Sequence, residues 1–352
     1  MNPMLTRLLG TILGVFLVLI SACESHYDYQ KGSVIITSVY SPGLEGNMLG
    51  DDPNRQVYIY LPPQYDTDRD KRFPVIYFLH GFIQNPTVWF GGGNTVRVDF
   101  EEIMNRKISA GSLQPVILVA PDSQNAYGGS YYTNSVVTGN WEDFIVKDLV
   151  AFMDKNYRTL PVRESRGIAG HSMGGYGAMK LAMRNPGVFG SVYSLSPANM
   201  VNSLVVLGTM RTYLRQALSA RNAANLPWEA MTTIAQAAAF APDPEAPPFY
   251  GQFPLTKEDE LIDSVWQKWL QHDPYTMIPA YRDSLLKLDA IQFDCGTLDD
   301  LLYSAVVEFS NGLDQQGIDH IFDTYNGDHV IRLPERSEMH MFPFFSENLR
   351  FE

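Results

Sequence analysis

The chain has almost no cysteine. Cys23 and Cys295 are the only two thiols in 352 residues, which excludes a disulfide framework and any zinc site built on a cysteine cluster. Basic residues are scarce as well: 26 Lys+Arg stand against 39 Asp+Glu, for a net charge of −13. Nucleic acid is excluded as a partner on that ground. Binding a polyanion needs a basic face that displaces its counterions, and no Lys/Arg cluster of that kind occurs. Charged residues reach only 18% and hydrophobic ones 45%, a balance that suits a folded globular protein rather than a disordered one. Long apolar runs are missing with one exception, residues 8–20. Those thirteen residues fall short of the roughly 20 needed to span a bilayer as a helix.

That run reads as an export signal. Arg7 and the amino terminus supply a positive start, and Ser21-Ala22-Cys23 follow the apolar segment directly. Leu19-Ile20-Ser21-Ala22-Cys23 resembles the bacterial lipobox, in which the cysteine is lipidated and becomes the new N-terminus. Acyl chains on Cys23 would then hold the protein at a membrane in place of a protein span. The expectation is a signal peptide over 1–22 and a lipid-anchor cysteine with a polar tether over 23–32. Ordinary cleavage and secretion is the alternative.

From about Gly32 strands and helices alternate. Segments 33–40 and 56–61 are β-rich and separated by a Gly/Asn/Asp/Pro turn, an antiparallel start. Residues 73–79 (FPVIYFL) form a nearly continuous apolar run, as expected of a strand buried on both faces. Shorter strand signals follow at 116–120, 167–170, 191–195, 290–294 and 320–325. Helical patterns fill 96–109, 141–157, 173–184, 301–316 and 337–349. This alternation predicts an α/β fold: a mostly parallel, doubly wound sheet with helices on both faces. One interval breaks the rhythm. Residues 197–289 hold helical text (201–224, 228–240, 256–271) and a Pro-rich stretch but no convincing strand. A structureless loop of that length is improbable in a compact domain, so a helical insertion is expected, either a cap over a cleft or packing at the sheet edge.

The chemistry converges on one serine. Gly170-His171-Ser172-Met173-Gly174 matches the G-x-S-x-G nucleophile elbow, entered by a strand pattern and left by a small-residue helix. Glycines two residues either side are needed because the serine sits in a strained turn. A serine hydroxyl is a poor nucleophile until a base takes its proton. Seven histidines are available. His26 lies in the tether, His80 starts a loop, His171 abuts the nucleophile with its side chain aimed elsewhere, His272 is in the insertion, His320 opens a strand and His340 lies in the last helix. His329, in the turn-rich Asn326-Gly327-Asp328-His329 after the final strand, falls at the sheet's C-terminal edge, where such folds gather catalytic groups. The orienting acid should lie between serine and histidine in the chain, and Asp294, Asp299 and Asp300 are the candidates. Asp294 belongs to the strand end and Asp300 suits a helix cap, so Asp299 is preferred. Cys295 beside them reads as a packed residue. Met173 N–H, at the helix start, and Phe82 N–H, after His80-Gly81, are the expected oxyanion donors.

Taken in order, several segments carry a family resemblance: Tyr60-Leu61-Pro62-Pro63-Gln64-Tyr65, Leu79-His80-Gly81, Trp89, Tyr157-Arg158-Thr159, Gly170–Gly175, Gly296-Thr297-Leu298-Asp299 and Gly327-Asp328-His329. Together they resemble the putative-esterase family of α/β-hydrolases, which includes S-formylglutathione hydrolase, feruloyl and acetyl-xylan esterases, enterochelin esterases and secreted mycolyltransferases. The resemblance is strongest to the bacterial feruloyl esterase branch. It implies an α/β-hydrolase domain over 33–352, Ser172, Asp299 and His329 as a triad, and Phe82 and Met173 at the oxyanion hole. The insertion is longer than in compact feruloyl esterases. Trp89, Tyr131, Tyr132 and Trp141 are candidates to stack on a sugar or a phenolic acyl group. The expected activity is that of an exported serine carboxylesterase acting on esters, including carbohydrate-linked ones, with no metal or organic cofactor implied. Rival readings are an acyltransferase using a sugar or lipid alcohol, and a non-catalytic carbohydrate-binding lipoprotein.

Overall fold

The computed structural model describes residues 30–93, 96–201, 204–222 and 225–352. Cys23 and the apolar run before it lie outside the described residues. Among the described residues there are ten strands: β1 (Ser33–Tyr40), β2 (Asn54–Leu61), β3 (Val75–Leu79), β4 (Ile117–Pro121), the short pair β5 (Asn134–Ser135) and β6 (Gly139–Asn140), β7 (Arg166–His171), β8 (Ser191–Leu195), β9 (Ala290–Gly296) and β10 (Ile321–Tyr325). Eight of them form one sheet in the order β1-β2-β4-β3-β7-β8-β9-β10. β2 runs antiparallel to both β1 and β4, and every pairing from β4 onward is parallel. The expected mixed start and parallel body are both present.

Strand β3 illustrates why the sheet is central. All five residues, VIYFL, are buried. With the two-residue period of a strand, Val75, Tyr77 and Leu79 join one apolar layer while Ile76 and Phe78 join the other. The first layer is completed by the Met173–Arg184 helix, the segment Trp141–Asp143 with its continuation to Asn156, and the insertion. The second is completed by Phe100–Ser109 and the C-terminal Phe342–Asn348. The parallel strands all end on one edge. Leu79 lies opposite Gly170, His171 opposite Leu195, and Gly296 opposite Tyr325.

Helix boundaries shift where caps decide them. The helix expected from residue 96 begins at Phe100, because the Asp99 side chain accepts from Glu102 N and stops it there. The helix expected from 301 begins at Tyr303 with Leu302 as its cap, so Asp300 is exposed and does not cap it. The interval 197–289 holds helices Leu204–Ser219, Trp228–Phe240, Asp263–Leu270, Pro274–Met277 and Arg282–Leu285, the last two unforeseen. Its inner residues, Ile234, Phe240 and Trp269 among them, are continuous with the first apolar layer. Polar ties fix it further: Gln236 Nε2 donates to Tyr131 OH (3.0 Å), Ser135 Oγ to Ala238 O (2.6 Å) and Tyr176 OH to His272 O (2.8 Å). No helix among the described residues is long and apolar enough to cross a membrane.

Candidate active site

Ser172 leaves β7 at φ 57° and ψ −118°, and Met173–Arg184 begins with the next residue. A non-glycine residue in that conformation is strained and must be held by its surroundings. Ser172 N donates to Leu195 O, and Ser172 O accepts from Ala198 N, each at 3.0 Å. The flanking glycines are a steric necessity. A Cβ on Gly170 would lie 2.3 Å from the Gly174 carbonyl, and one on Gly174 would lie 1.9 Å from Leu79 O. The elbow therefore brings Ser172 to the C-terminal edge of the sheet at the N-terminus of a twelve-residue helix, whose dipole favours negative charge there.

Two other loops meet at that edge. Thr297 N donates to Tyr325 O (2.8 Å) and Leu298 N to Gly327 O (3.0 Å). Gly296 permits the contact, since a Cβ there would stand 2.1 Å from Gly327 O. Asp328 accepts from Val330 N and Ile331 N, which tightens the turn around the next residue. His329 Nδ1 consequently donates to Asp299 Oδ2 at 2.7 Å. An ionised carboxylate only accepts, so Nδ1 carries the proton and Nε2 is left as the basic nitrogen. Asp299 is 5% exposed, which shields its carboxylate from water, while a third of the His329 side chain is open to solvent. Among the described residues neither Ser172 Oγ nor His329 Nε2 has a hydrogen-bond partner.

The neighbouring Asp294 is engaged elsewhere, and Asp300 is exposed. Asp294 is fully buried and its Oδ2 accepts from Tyr193 OH (2.7 Å) and Arg336 Nε (3.0 Å). Burial pushes its carboxyl up despite Arg336. Cys295 is buried too, and burial followed by the nearby Asp299 and Asp294 pushes its thiol up to about 12, which removes it as a nucleophile.

The loop after β3 approaches Ser172 closely. A Cβ on Gly81 would lie 3.4 Å from Ser172 Cβ. Gly81 N donates to Gln84 Oε1 and Ile83 N to Gly128 O, while Phe82 N and Met173 N have no acceptor among the described residues. His80, which sequence reasoning left as a loop start, organises this segment. Its Nε2 accepts from Ser123 N (2.8 Å), so Nδ1 is the protonated nitrogen and donates to Gly81 O (2.8 Å). Burial lowers its pKa and keeps the ring neutral. Its burial was invisible in sequence, though its place beside Gly81 marked it.

The four aromatics expected to face a cleft are interior instead. Trp89 is fully buried, its ring 4.5 Å from Phe78 and 5.3 Å from Phe100. Trp141 is equally buried, its Nε1 donating to Thr138 O and its ring beneath the Arg55 guanidinium. Tyr131 and Tyr132 both adopt positive φ, 49° and 48°. Tyr132 OH donates to His80 O, and Tyr131 wedges between Phe82 and Phe240 of the insertion. They support the loop after β3. Large rings at a sheet edge bury more apolar area by packing inward than by facing water.

Comparison with known proteins fits this geometry. The sequence profile of the family described as Putative esterase matches residues 49–332. An esterase of Mycobacterium tuberculosis is 34% identical over 152 residues, 42% of this chain and 30% of that protein. An endo-1,4-beta-xylanase/feruloyl esterase of Xylanibacter ruminicola is 31% identical over 143 residues, 38% of this chain and 18% of that protein. The chain thus spans under a third of the length of these curated relatives. Among solved structures, a ferulic acid esterase superposes with a TM-score of 0.62 at 20% identity, covering 91% of this chain and all of the other. An S-formylglutathione hydrolase from Staphylococcus aureus gives 0.59 at 18% identity, covering 90% and 99%. At these identities the structural likeness speaks for the α/β-hydrolase fold alone, but the profile spans most of the chain, and the chain belongs to the Putative esterase family.

Proposed function

We propose that this chain is a serine carboxylesterase in which Ser172, His329 and Asp299 form the catalytic triad. The observation that carries the reading is the 2.7 Å bond from His329 Nδ1 to buried Asp299, at the sheet edge where strained Ser172 follows β7. Ser172 Oγ attacks the ester carbonyl as His329 Nε2 takes its proton. Asp299 holds the tautomer and stabilises the imidazolium. The oxyanion settles on Phe82 N–H and Met173 N–H, each such donor being worth about 2.7–4 kcal/mol in the transition state. His329 then protonates the leaving alcohol, and water activated by the same ring clears the acyl-enzyme. The loops carrying these groups expose Ile83, Leu298 and Ile331, 56%, 60% and 68%. This apolar rim suits an aromatic or aliphatic acyl group. Feruloyl or acyl esters of carbohydrates are the substrates proposed, in line with the relatives' names. The lipobox-like Cys23 supports an exported lipoprotein held at a membrane.

The test is hydrolysis of an ester panel by the purified protein, from p-nitrophenyl acetate through long-chain esters to methyl ferulate and acetylated xylan. Ser172→Ala is the blank. Turnover that disappears in the blank is expected, and no turnover above it on any ester overturns the proposal. Incorporation of a labelled fatty acid in the producing bacterium, lost in Cys23→Ala, tests the anchor.

A further inference from the structure

The residue before the nucleophile reaches the base loop. His171 is 1% exposed, and its Nε2 lies 3.1 Å from the main-chain oxygen of His329. A carbonyl only accepts, so Nε2 carries the proton and donates. Nδ1 has no partner and is out of reach of water. Burial, then the neighbouring His329, holds the ring's pKa well below its ordinary value, so the imidazole is neutral with one fixed tautomer. The His171 and His329 rings are 4.6 Å apart at 40°, and Trp89 backs His171 at 5.5 Å. The backbone of His171 is held in β7 opposite Leu195.

The loop after β10 has few other anchors of this kind. Its contacts to the acid loop fix Gly327 and Tyr325, and Asp328 bonds only within its own turn. Among the described residues the carbonyl of His329 is tied to the nucleophile strand through His171 alone.

We infer that His171 is a positioning residue for the esterase reaction: its Nε2–H holds the His329 carbonyl and so sets the base loop relative to Ser172 one residue away. This rests on the triad proposed above. His171 touches neither substrate nor the transferred proton. It links the two halves of the site, one built on β7 and the other after β10, through a single hydrogen bond. A loose base loop costs rate rather than binding, since misplacement by about 1 Å can cost about 100-fold.

Two substitutions separate the donor from the ring. Gln has the same number of bonds from Cα to its donor nitrogen as His, so His171→Gln keeps a donor and loses the ring. His171→Phe keeps a ring face and loses the donor. The expected result is a kcat lowered roughly 10- to 100-fold in His171→Phe with KM within about 2-fold, and a kcat within about 3-fold of the parent in His171→Gln. An activity-independent readout is the downfield proton resonance of the His329–Asp299 hydrogen bond. It should persist in the parent and in His171→Gln, and broaden away in His171→Phe. A near-parent kcat and a sharp resonance in His171→Phe overturn the inference, as does an impaired His171→Gln that melts with the parent. If His171→Phe does not fold, His171→Met, without donor or ring, takes its place. Should the parent lack Ser172-dependent turnover, the proposed function fails while the resonance still decides the loop's anchoring.

Discussion

Acid should destabilise this protein through a histidine that takes no part in the chemistry. His272 lies in the insertion with its ring flat on Phe240, 4.9 Å away at 12°. The residue is only half-buried, but its Nδ1 has no partner and no contact with water. Burial, with Lys180 and Arg184 as nearby cations, lowers its pKa from 6.5 to about 2. The folded value lies below the unfolded one, so between them the unfolded chain binds a proton that the native chain refuses. The stability is intact above about pH 6.5 and is lost as pH falls, at up to about 1.4 kcal/mol per pH unit. From pH 7.5 to 4.5 the loss from this one ring comes to about 2.7 kcal/mol. His272→Phe keeps the stack on Phe240 and cannot be protonated. Urea unfolding followed by far-UV circular dichroism at pH 7.5, 6.5, 5.5 and 4.5 should show the variant gaining on the parent by about that amount. His80 and His171, also held neutral by burial, lower both curves alike and cancel in the difference. Parallel pH dependence in the two proteins would refute the reasoning, since it would mean the native ring accepts a proton as readily as the unfolded one.

Other outcomes follow from particular contacts. Asp299→Asn should lower kcat by about 10,000-fold, as loss of a triad acid does, while exposed Asp300→Asn stays within about 2-fold; equal losses in steady-state assays would reject the assignment. Gly296→Ala drives a Cβ to 2.1 Å from Gly327 O and should part the acid and base loops, with kcat falling about 100-fold. A parent-like kcat in that variant would show that the loops adjust freely. Arg336→Leu strands the buried Asp294 carboxylate and should cost about 3–5 kcal/mol in thermal unfolding, much of it recovered by adding Asp294→Asn. Additive losses in the double variant would contradict the pairing.

Much of the fold was legible from periodicity. β1, β8, the helix Met173–Arg184 and the helix Trp228–Phe240 fall where their patterns put them, because an apolar stripe or a buried run leaves no other way to hide that surface. Ends were less legible. Phe100 and Tyr303 start their helices late because a cap is a local geometric event, and Asp99 competes with any apolar residue before it. The aromatic clamp failed for a different reason. Composition marks Trp89, Tyr131, Tyr132 and Trp141 as large and amphipathic, but not which side of the sheet edge each ring takes.

The amino-acid sequence alone determined the chemistry's vocabulary: a serine between glycines, a carboxylate and a histidine in hydrolase order, and the α/β frame that carries them to one edge. Sterics dictate those choices locally, since Gly170 and Gly174 admit no Cβ around Ser172. Tertiary structure alone decided which carboxylate meets His329, that Asp294 answers to Arg336 instead, and that His80 and His171 are neutral donors under the site. His80 donates to its neighbour Gly81, but the contacts that fix the other partners, and the Ser123 bond that sets the His80 tautomer, join residues 30 to 158 positions apart, and no local pattern along the chain encodes such a meeting.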